Sequence, residues 1–456
     1  MNKSIYIFLG PILGSVTYFV LTFFGIDYAP SITCAIAILT ITWWVTEAVP
    51  IPVASIVPFA LLPLFNVLNH KEVSTALGSH VILLLMGAFM LSKSLEKSGV
   101  HERLAILMVK FVGINSGKRL VFAFMLASAL LSMWVSNTAT ILIMLPIALA
   151  ILKTVKDVNL KVALILGIAY SASVGGLGTL IGTPPNVIFA GIYETQTGKE
   201  YSFVKWMTIG IPIVLIAVPI MALWLTRKIV AKPEVNLPSL GEWRVEEKRT
   251  LLVFGLTALA WITRGAPFGG WSELLGISQA GDSTVALAAV LVMFVMPNGK
   301  GGRLLDWDTA VSIPWGMLLL FAGGIALAKG FTVSGLSNMM GEGIQQLTNM
   351  PLILLLIVLC LCVTYLTEVT SNTATATLLM PILYVVAVSY GVDPAVLMIP
   401  AAMAASSAFM LPVATAPNAI AYGTGEIPIQ IMVREGAALS FIISCLIALV
   451  CYLVLI

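Results

Sequence analysis

Apolar runs long enough to cross a lipid bilayer follow one another along this chain, and they constrain its fold more than any other feature. The first extends from Ile5 to Phe24, and comparable runs recur to the last residue, Ile456. A bilayer-crossing helix needs about 20 predominantly apolar residues. The runs are continuous rather than alternating, which argues against a transmembrane β-barrel. Charged residues make up 10% of the 456, whereas soluble domains carry roughly 25%. The sequence therefore predicts an all-α polytopic membrane protein.

Spans are expected at 5–25, 31–46, 52–67, 80–95, 161–192, 206–226, 250–263, 283–297, 312–328, 394–425 and 436–456. The first is read as a membrane helix rather than a cleaved signal, because no small-residue cleavage site follows it. Two further apolar stretches, 120–152 and 351–391, are interrupted by Ser-Asn-Thr and read as pairs of half-helices, each forming a re-entrant hairpin. Irregular backbone at membrane depth is tolerated where protein or a water-filled cavity covers it. With alternating spans and a cytoplasmic N-terminus, nineteen of the 24 lysines and arginines fall on the cytoplasmic side, as positive-inside orientation predicts. The C-terminus then lies outside. Residues 227–249 form the longest hydrophilic linker, expected as a cytoplasmic amphipathic helix.

The chain repeats itself. Leu83-Leu84-Leu85-Met86-Gly87 through Lys93 to Ser98-Gly99 resembles Leu319-Leu320-Phe321-Ala322-Gly323 through Lys329 to Ser334-Gly335. Ser136-Asn137-Thr138-Ala139-Thr140, followed by Pro146, recurs as Ser371-Asn372-Thr373-Ala374-Thr375, followed by Pro381. Gly182-Thr183-Pro184-Pro185-Asn186 recurs as Ala414-Thr415-Ala416-Pro417-Asn418. The three motifs return in the same order and at nearly one offset. The hairpins enter from opposite faces, so the repeats are inverted, an architecture of secondary transporters with a site at the repeat interface. The organisation is a first helix (1–30), a first repeat (31–226), the linker (227–249) and a second repeat (250–456).

The motifs suit ions. A half-helix N-terminus turns unpaired N–H groups toward an anion. Unwound carbonyls and hydroxyls offer oxygens to a small hard cation, and the prolines free such carbonyls by breaking helices. Each half thus supplies one cation site, and both share an anion site. No Lys or Arg lies within ten residues of either Ser-Asn-Thr, so bound cations are expected to balance the anion's charge. Glu47 reads as an interfacial helix end, while Glu368 is left between structure and gating. The five cysteines (Cys34, Cys360, Cys362, Cys445, Cys451) read as small buried hydrophobes. Three scattered histidines argue against a metal centre, and no basic arm proposes nucleic acid. An intramembrane enzyme would need a motif such as His-Glu-x-x-His, which is absent; a passive anion channel is the other class weighed.

Trp43-Trp44-Val45-Thr46-Glu47-Ala48-Val49-Pro50-Ile51-Pro52, both Ser-Asn-Thr tips, Gly178-Thr179-Leu180-Ile181-Gly182-Thr183-Pro184-Pro185-Asn186 and Leu411-Pro412-Val413-Ala414-Thr415 are similar to the divalent anion–sodium symporter family of dicarboxylate, citrate and sulfate transporters. The resemblance implies a homodimer in a plasma membrane, the inner membrane of a bacterium, with a scaffold and a mobile transport domain moving as an elevator. It implies one sodium site from Ser132, Ser136, Asn137 and the Gly182 carbonyl, and a second from Thr367, Thr370, Asn372 and Ala414. It implies substrate contacts from Asn137, Thr138, Ser371, Asn372 and Thr373, with Thr183 and Thr415 nearby. Sodium-coupled symport of a C4-dicarboxylate (succinate, malate or fumarate) with at least two sodium ions is the expected activity. Exchange, or citrate or sulfate as substrate, is the alternative. One departure is Ala416 where the first half has Pro184.

Overall fold

The computed structural model describes residues 3–153, 155, 157–229, 240–265, 270–344 and 350–456. Their regular structure is helical, and strand-like pairing is confined to one isolated bridge between Pro297 and Arg303. Helix α1 (Lys3–Phe23) packs on α2 (Tyr28–Thr46) and otherwise presents apolar side chains outward, as a lipid-facing helix does. The expected single span at 52–67 is instead two short helices, α3 (Ile51–Ala54) and α4 (Val57–Leu64). Pro58 explains the break, since its ring would meet the carbonyl of residue 54 in a continuous helix.

Helix α5 (His70–Leu77) is opened by a capping box in which Asn69 Oδ1 accepts from the Glu72 amide and Glu72 accepts from the Asn69 amide, both at 2.8 Å. Helix α6 (His80–Ser98) follows, then α7 (Val100–Val112), α8 (Gly117–Ser132), α9 (Asn137–Leu152), α10 (Val158–Gly175), α11 (Pro184–Thr197) and α12 (Phe203–Thr226). The second half holds α13 (Val245–Ile262), α14 (Gly270–Leu274), α15 (Asp282–Val295), α16 (Trp307–Val311), α17 (Trp315–Val333) and α18 (Leu336–Ile344). It closes with α19 (Leu352–Thr367), α20 (Asn372–Ser389), α21 (Ala395–Ala405), α22 (Ala416–Gly423) and α23 (Ile429–Leu455). Charged helices such as α5 and α7 lie outside the apolar runs and so escaped a hydropathy reading.

Eight helices among the described residues are long and apolar enough to cross a membrane. Shorter apolar helical stretches make up other parts of the expected spans (α3 with α4 over Ile51–Leu64, Asp282–Val295 and Ala395–Ala405) and of the expected hairpins (Asn137–Leu152 and Leu352–Thr367). Residues 230–239, the middle of the expected linker helix, lie outside the described residues. Cys360 and Cys451 are buried as expected, but Cys362 is exposed, because it falls on the outward face of α19.

The duplication seen in sequence is present in packing. In the first half α10 touches α8, α9 and α12; in the second α21 touches α19, α20 and α23. The halves also interlock, since α9 packs on α22 and α20 on α11. Every residue from Val162 to Gly175 and from Ala395 to Ala405 is buried. The two helices that lead into the broken segments are therefore the centre of the core.

Candidate functional site

The Ser-Asn-Thr motifs fall at the tips of the two helix pairs. Helix α8 ends at Ser132 and α9 begins at Asn137, with Ser136 as N-cap accepting from the Ala139 amide at 3.2 Å. The Ser132 hydroxyl donates to Asn137 Oδ1 at 2.6 Å. At the second tip the Thr367 hydroxyl donates to Asn372 Oδ1, again at 2.6 Å, and also lies 3.1 Å from the Ala405 carbonyl. The hydroxyls of Thr370 and Thr375 pair at 2.7 Å. Each tip is thus a helix N-terminus with an asparagine held against the helix before it.

The broken helices are built alike. Asn186 donates through Nδ2 to the carbonyls of Gly176 (2.9 Å) and Thr179 (2.8 Å). Asn418 donates to those of Ala408 and Leu411, both at 3.1 Å. Asn186 with Asn418, Gly176 with Ala408 and Thr179 with Leu411 all pair at one constant offset along the chain. The Oδ1 atoms of both asparagines are buried without a hydrogen-bond partner. A neighbouring helix makes room for each unwound segment with glycine. A Cβ on Gly210 would lie 2.3 Å from the Leu177 carbonyl oxygen, and one on Gly436 would lie 2.2 Å from that of Phe409.

The halves differ in one tie. In the first, the Thr179 hydroxyl donates to the Met133 carbonyl at 2.5 Å. In the second, Glu368 occupies the place of Met133 and accepts from the amides of Phe409 (2.7 Å), Met410 (2.9 Å) and Leu411 (3.0 Å), with the Ser440 hydroxyl at 3.4 Å. Glu368 is buried and holds the unwound backbone, so of the two roles left open the structure favours the structural one. The Pro184-to-Ala416 departure leaves the backbone unchanged. Thr183 has φ −145 and ψ 146, and Thr415 has φ −142 and ψ 153. Thr183 meets Ser406 across the repeat interface at 3.2 Å, whereas Thr415 accepts from the Asn418 amide at 3.1 Å.

Both tips and both breaks line one cavity of about 740 Å³, within the roughly 300–1,000 Å³ of small-molecule sites. It gathers Ser136, Asn137, Thr138, Gly182 and Thr183 from the first half with Thr370, Ser371, Asn372, Thr373, Ala414 and Thr415 from the second. Ser132 and Thr367 do not line it. They sit fully buried behind the tips, each bonded to the asparagine that does.

Distance along the chain concealed three charges. Glu47, Lys93 and Glu96 line the same cavity, and Lys93 pairs with Glu96 at 2.6 Å. The expectation that no basic group stands near the tips therefore holds along the chain but not across the cavity. Glu47 does end α2, with φ 47, and faces the cavity from there. Asn186 and Asn418 were missed as supports although both stood inside the repeated motifs; their shared offset was the available signal. Ser406, Gly210 and Gly436 carried none.

A family model described as CitMHS, citrate transporter, matches residues 41–397. The chain belongs to this family of membrane transporters. The resemblance to the divalent anion–sodium symporters stands with that match, and the chain is a transporter, not an enzyme. Among similar curated proteins is the sodium-dependent dicarboxylate transporter SdcS of Staphylococcus saprophyticus, 39% identical over 478 residues, covering 99% of this chain and 91% of that one. SdcS of Staphylococcus aureus is 40% identical over 483 residues, covering 100% and 91%. Two solved transporters share the fold at low identity. The Alcanivorax borkumensis YdaH transporter has a TM-score of 0.60 at 16% identity, over 86% of this chain and 88% of its own. Neisseria gonorrhoeae MtrF has 0.59 at 14%, over 86% and 83%.

Proposed function

We propose that this transporter carries a C4-dicarboxylate such as succinate, malate or fumarate together with sodium across the plasma membrane of a bacterium. The observation that carries the reading is the convergence of two equivalent oxygen-rich tips on one cavity. Full-length similarity to sodium-dependent dicarboxylate transporters supports it. One sodium ion is held by Ser132, Ser136, Asn137 and the Gly182 carbonyl, and its counterpart by Thr367, Thr370, Asn372 and Ala414. Asn137, Thr138, Ser371, Asn372 and Thr373 meet the carboxylates, with Thr183 and Thr415 beside them. Hydroxyls and carbonyls are the ligands a hard cation takes, and the N-termini of α9 and α20 favour the anion. At least two sodium ions then supply the charge that the tips lack.

The transporter works as a homodimer of two inverted repeats, 31–226 and 250–456, preceded by the helix of 1–30 and joined by the cytoplasmic linker 227–249. About eleven spans and two re-entrant hairpins place the N-terminus inside and the C-terminus outside. The ion pairs support this sorting of the loops into two faces. Lys97–Asp306, Arg103–Glu247, Lys161–Glu426 and Arg227–Glu435 each join groups assigned to the cytoplasmic face. His80–Glu194, Arg264–Glu200 and Arg264–Asp282 each join groups assigned to the outer face. The tips and breaks move together as an elevator past α6 and α17.

The test is labelled succinate uptake into liposomes holding the purified protein, with and without an inward sodium gradient. Uptake driven by sodium supports symport. Sodium-independent uptake that needs internal dicarboxylate makes the protein an exchanger. The citrate description of the family model keeps citrate as the second substrate, and competition by unlabelled succinate, citrate and sulfate separates them.

A further inference from the structure

Helix α6 turns one face to the cavity. Ala88, Phe89, Ser92, Lys93 and Glu96 all line it, at the spacing of a single helical stripe. Lys93 is the one basic side chain among the described residues that do so. Its ammonium is half-buried, and its partner is Glu96 on the same stripe at 2.6 Å.

The second repeat carries the same stripe on α17, where Lys329 stands for Lys93 and Thr332 for Glu96. That stripe is covered. Gln196 of α11 donates to the Ala328 carbonyl at 2.9 Å and accepts from the Thr332 hydroxyl at 2.7 Å. Lys329 lines a separate pocket of about 320 Å³ with Thr75, Ser79, His80 and Glu194. It donates to the Glu72 carbonyl at 3.1 Å and the Thr75 hydroxyl at 3.2 Å. Since His80 opens α6, Lys329 stands at one end of that helix and Lys93 near the other, about 20 Å apart along the axis at a 1.5 Å rise per residue. The stripe on α6 faces the main cavity, whereas on α17 Gln196 covers the Thr332 end and Lys329 faces the smaller pocket.

We propose that Lys93 and Lys329 are a symmetry-related pair of substrate-capturing residues, each presenting an ammonium to a carboxylate of the dianion in the vestibule of its own face when that face is open. The inference rests on the dicarboxylate reading above. Glu96 holds Lys93 when no anion is present. A half-exposed pair of that kind is weakly held, so an incoming carboxylate can take over the ammonium. Glu47 and Glu96 otherwise give the vestibule a negative lining that would repel a dianion, and Lys93 is the group that offsets it. Among the described residues Lys329 forms no ion pair, and its present bonds to α5 are to neutral oxygens, which an anion can replace.

The test uses right-side-out and inside-out membrane vesicles holding the full-length transporter, with the KM for succinate read on each face at saturating sodium. Lys93→Gln is expected to raise KM on the face of Arg103 and Arg244 several-fold, on the order of five-fold for a charge acting across a wet vestibule, and to leave the other face unchanged. Lys329→Gln is expected to do the reverse. Glu96→Gln frees Lys93 and is expected to lower KM on the Lys93 face. This variant decides the matter should the lysine variants fail to reach the membrane. An unchanged KM in Lys93→Gln, an equal rise on both faces, or an unchanged or raised KM in Glu96→Gln overturns the proposal. Absence of both sodium-driven succinate uptake and succinate exchange by the unaltered transporter would instead overturn the dicarboxylate reading itself.

Discussion

Asn137 and Asn372 hold equivalent places in the two repeats and receive the same hydrogen bond, at 2.6 Å, from a hydroxyl five residues earlier. In each case the donor is buried behind the tip and the asparagine lines the cavity. The bond fixes the amide at the wall of the cavity that we propose holds cation and anion. Asn137→Ala and Asn372→Ala are each expected to abolish sodium-driven uptake. Ser132→Ala loses that orienting bond, worth about 1 kcal/mol, together with one of the proposed sodium ligands, and is expected to raise the half-saturating sodium concentration by roughly five-fold or more. Near-normal uptake by either asparagine variant contradicts the assignment.

The amides of Asn186 and Asn418 each hold two carbonyls across an unwound segment. Asn186→Leu or Asn418→Leu removes two hydrogen bonds across the break, at about 0.5–1.5 kcal/mol for each bond, and leaves the Thr179 and Leu411 carbonyls only the amides of Gly182 and Ala414. Thermal melting in detergent should show a lowered midpoint for both variants, alongside lost uptake. An unshifted midpoint would mean that these bonds do not hold the breaks.

Gly210 and Gly436 admit the broken segments at distances that no Cβ tolerates. Gly210→Ala and Gly436→Ala should each destabilise by about 1–3 kcal/mol or more, as overpacking does. Gly255 on α13 has open space around the same position, and Gly255→Ala should stabilise by up to about 1 kcal/mol through helix propensity. Equal midpoints for the three variants would contradict the packing account.

Lys97 meets Asp306 on the face assigned to the cytoplasm. That ammonium, with the Thr309 hydroxyl and amide, holds the Asp306 carboxyl well below the ordinary range. A lowered carboxyl pKa contributes stability that is present above the unfolded value and lost as pH falls through the folded one. Lys97→Met should therefore lower the melting midpoint at neutral pH. The pair is exposed and worth less than about 1 kcal/mol, so the shift should stay within about 3 °C. The gap to the unaltered protein should close on acidification below about pH 4. A gap that widens in acid contradicts this sign.

Periodicity and duplication made much of this molecule legible. The tips, the breaks after Gly175 and Ala405, and the equivalence of Asn137 with Asn372 follow from apolar run length and repeated polar residues, both properties of the chain alone. Three things did not follow. The split between α3 and α4 depended on proline placement within a run whose hydropathy looked continuous. The tie from Glu368 to residues 409–411 depended on tertiary folding, since nothing about an acid beside Ser-Asn-Thr says which amides it will meet. Lys93 was invisible because its place on the same cavity as the tips is created by helix packing, while the end of α6 and all of α7 and α8 separate it from Ser136 along the chain.

The central claim is that sodium provides the counter-charge without which the dianion cannot bind. The most direct measurement is calorimetric titration of the purified transporter with succinate, in sodium chloride and in choline chloride of equal ionic strength. The coupling must be reciprocal for binding free energies. The expected result is saturable succinate binding in sodium and none detectable in choline, with sodium affinity rising when succinate is present. Equal succinate affinity in the two salts would contradict the account.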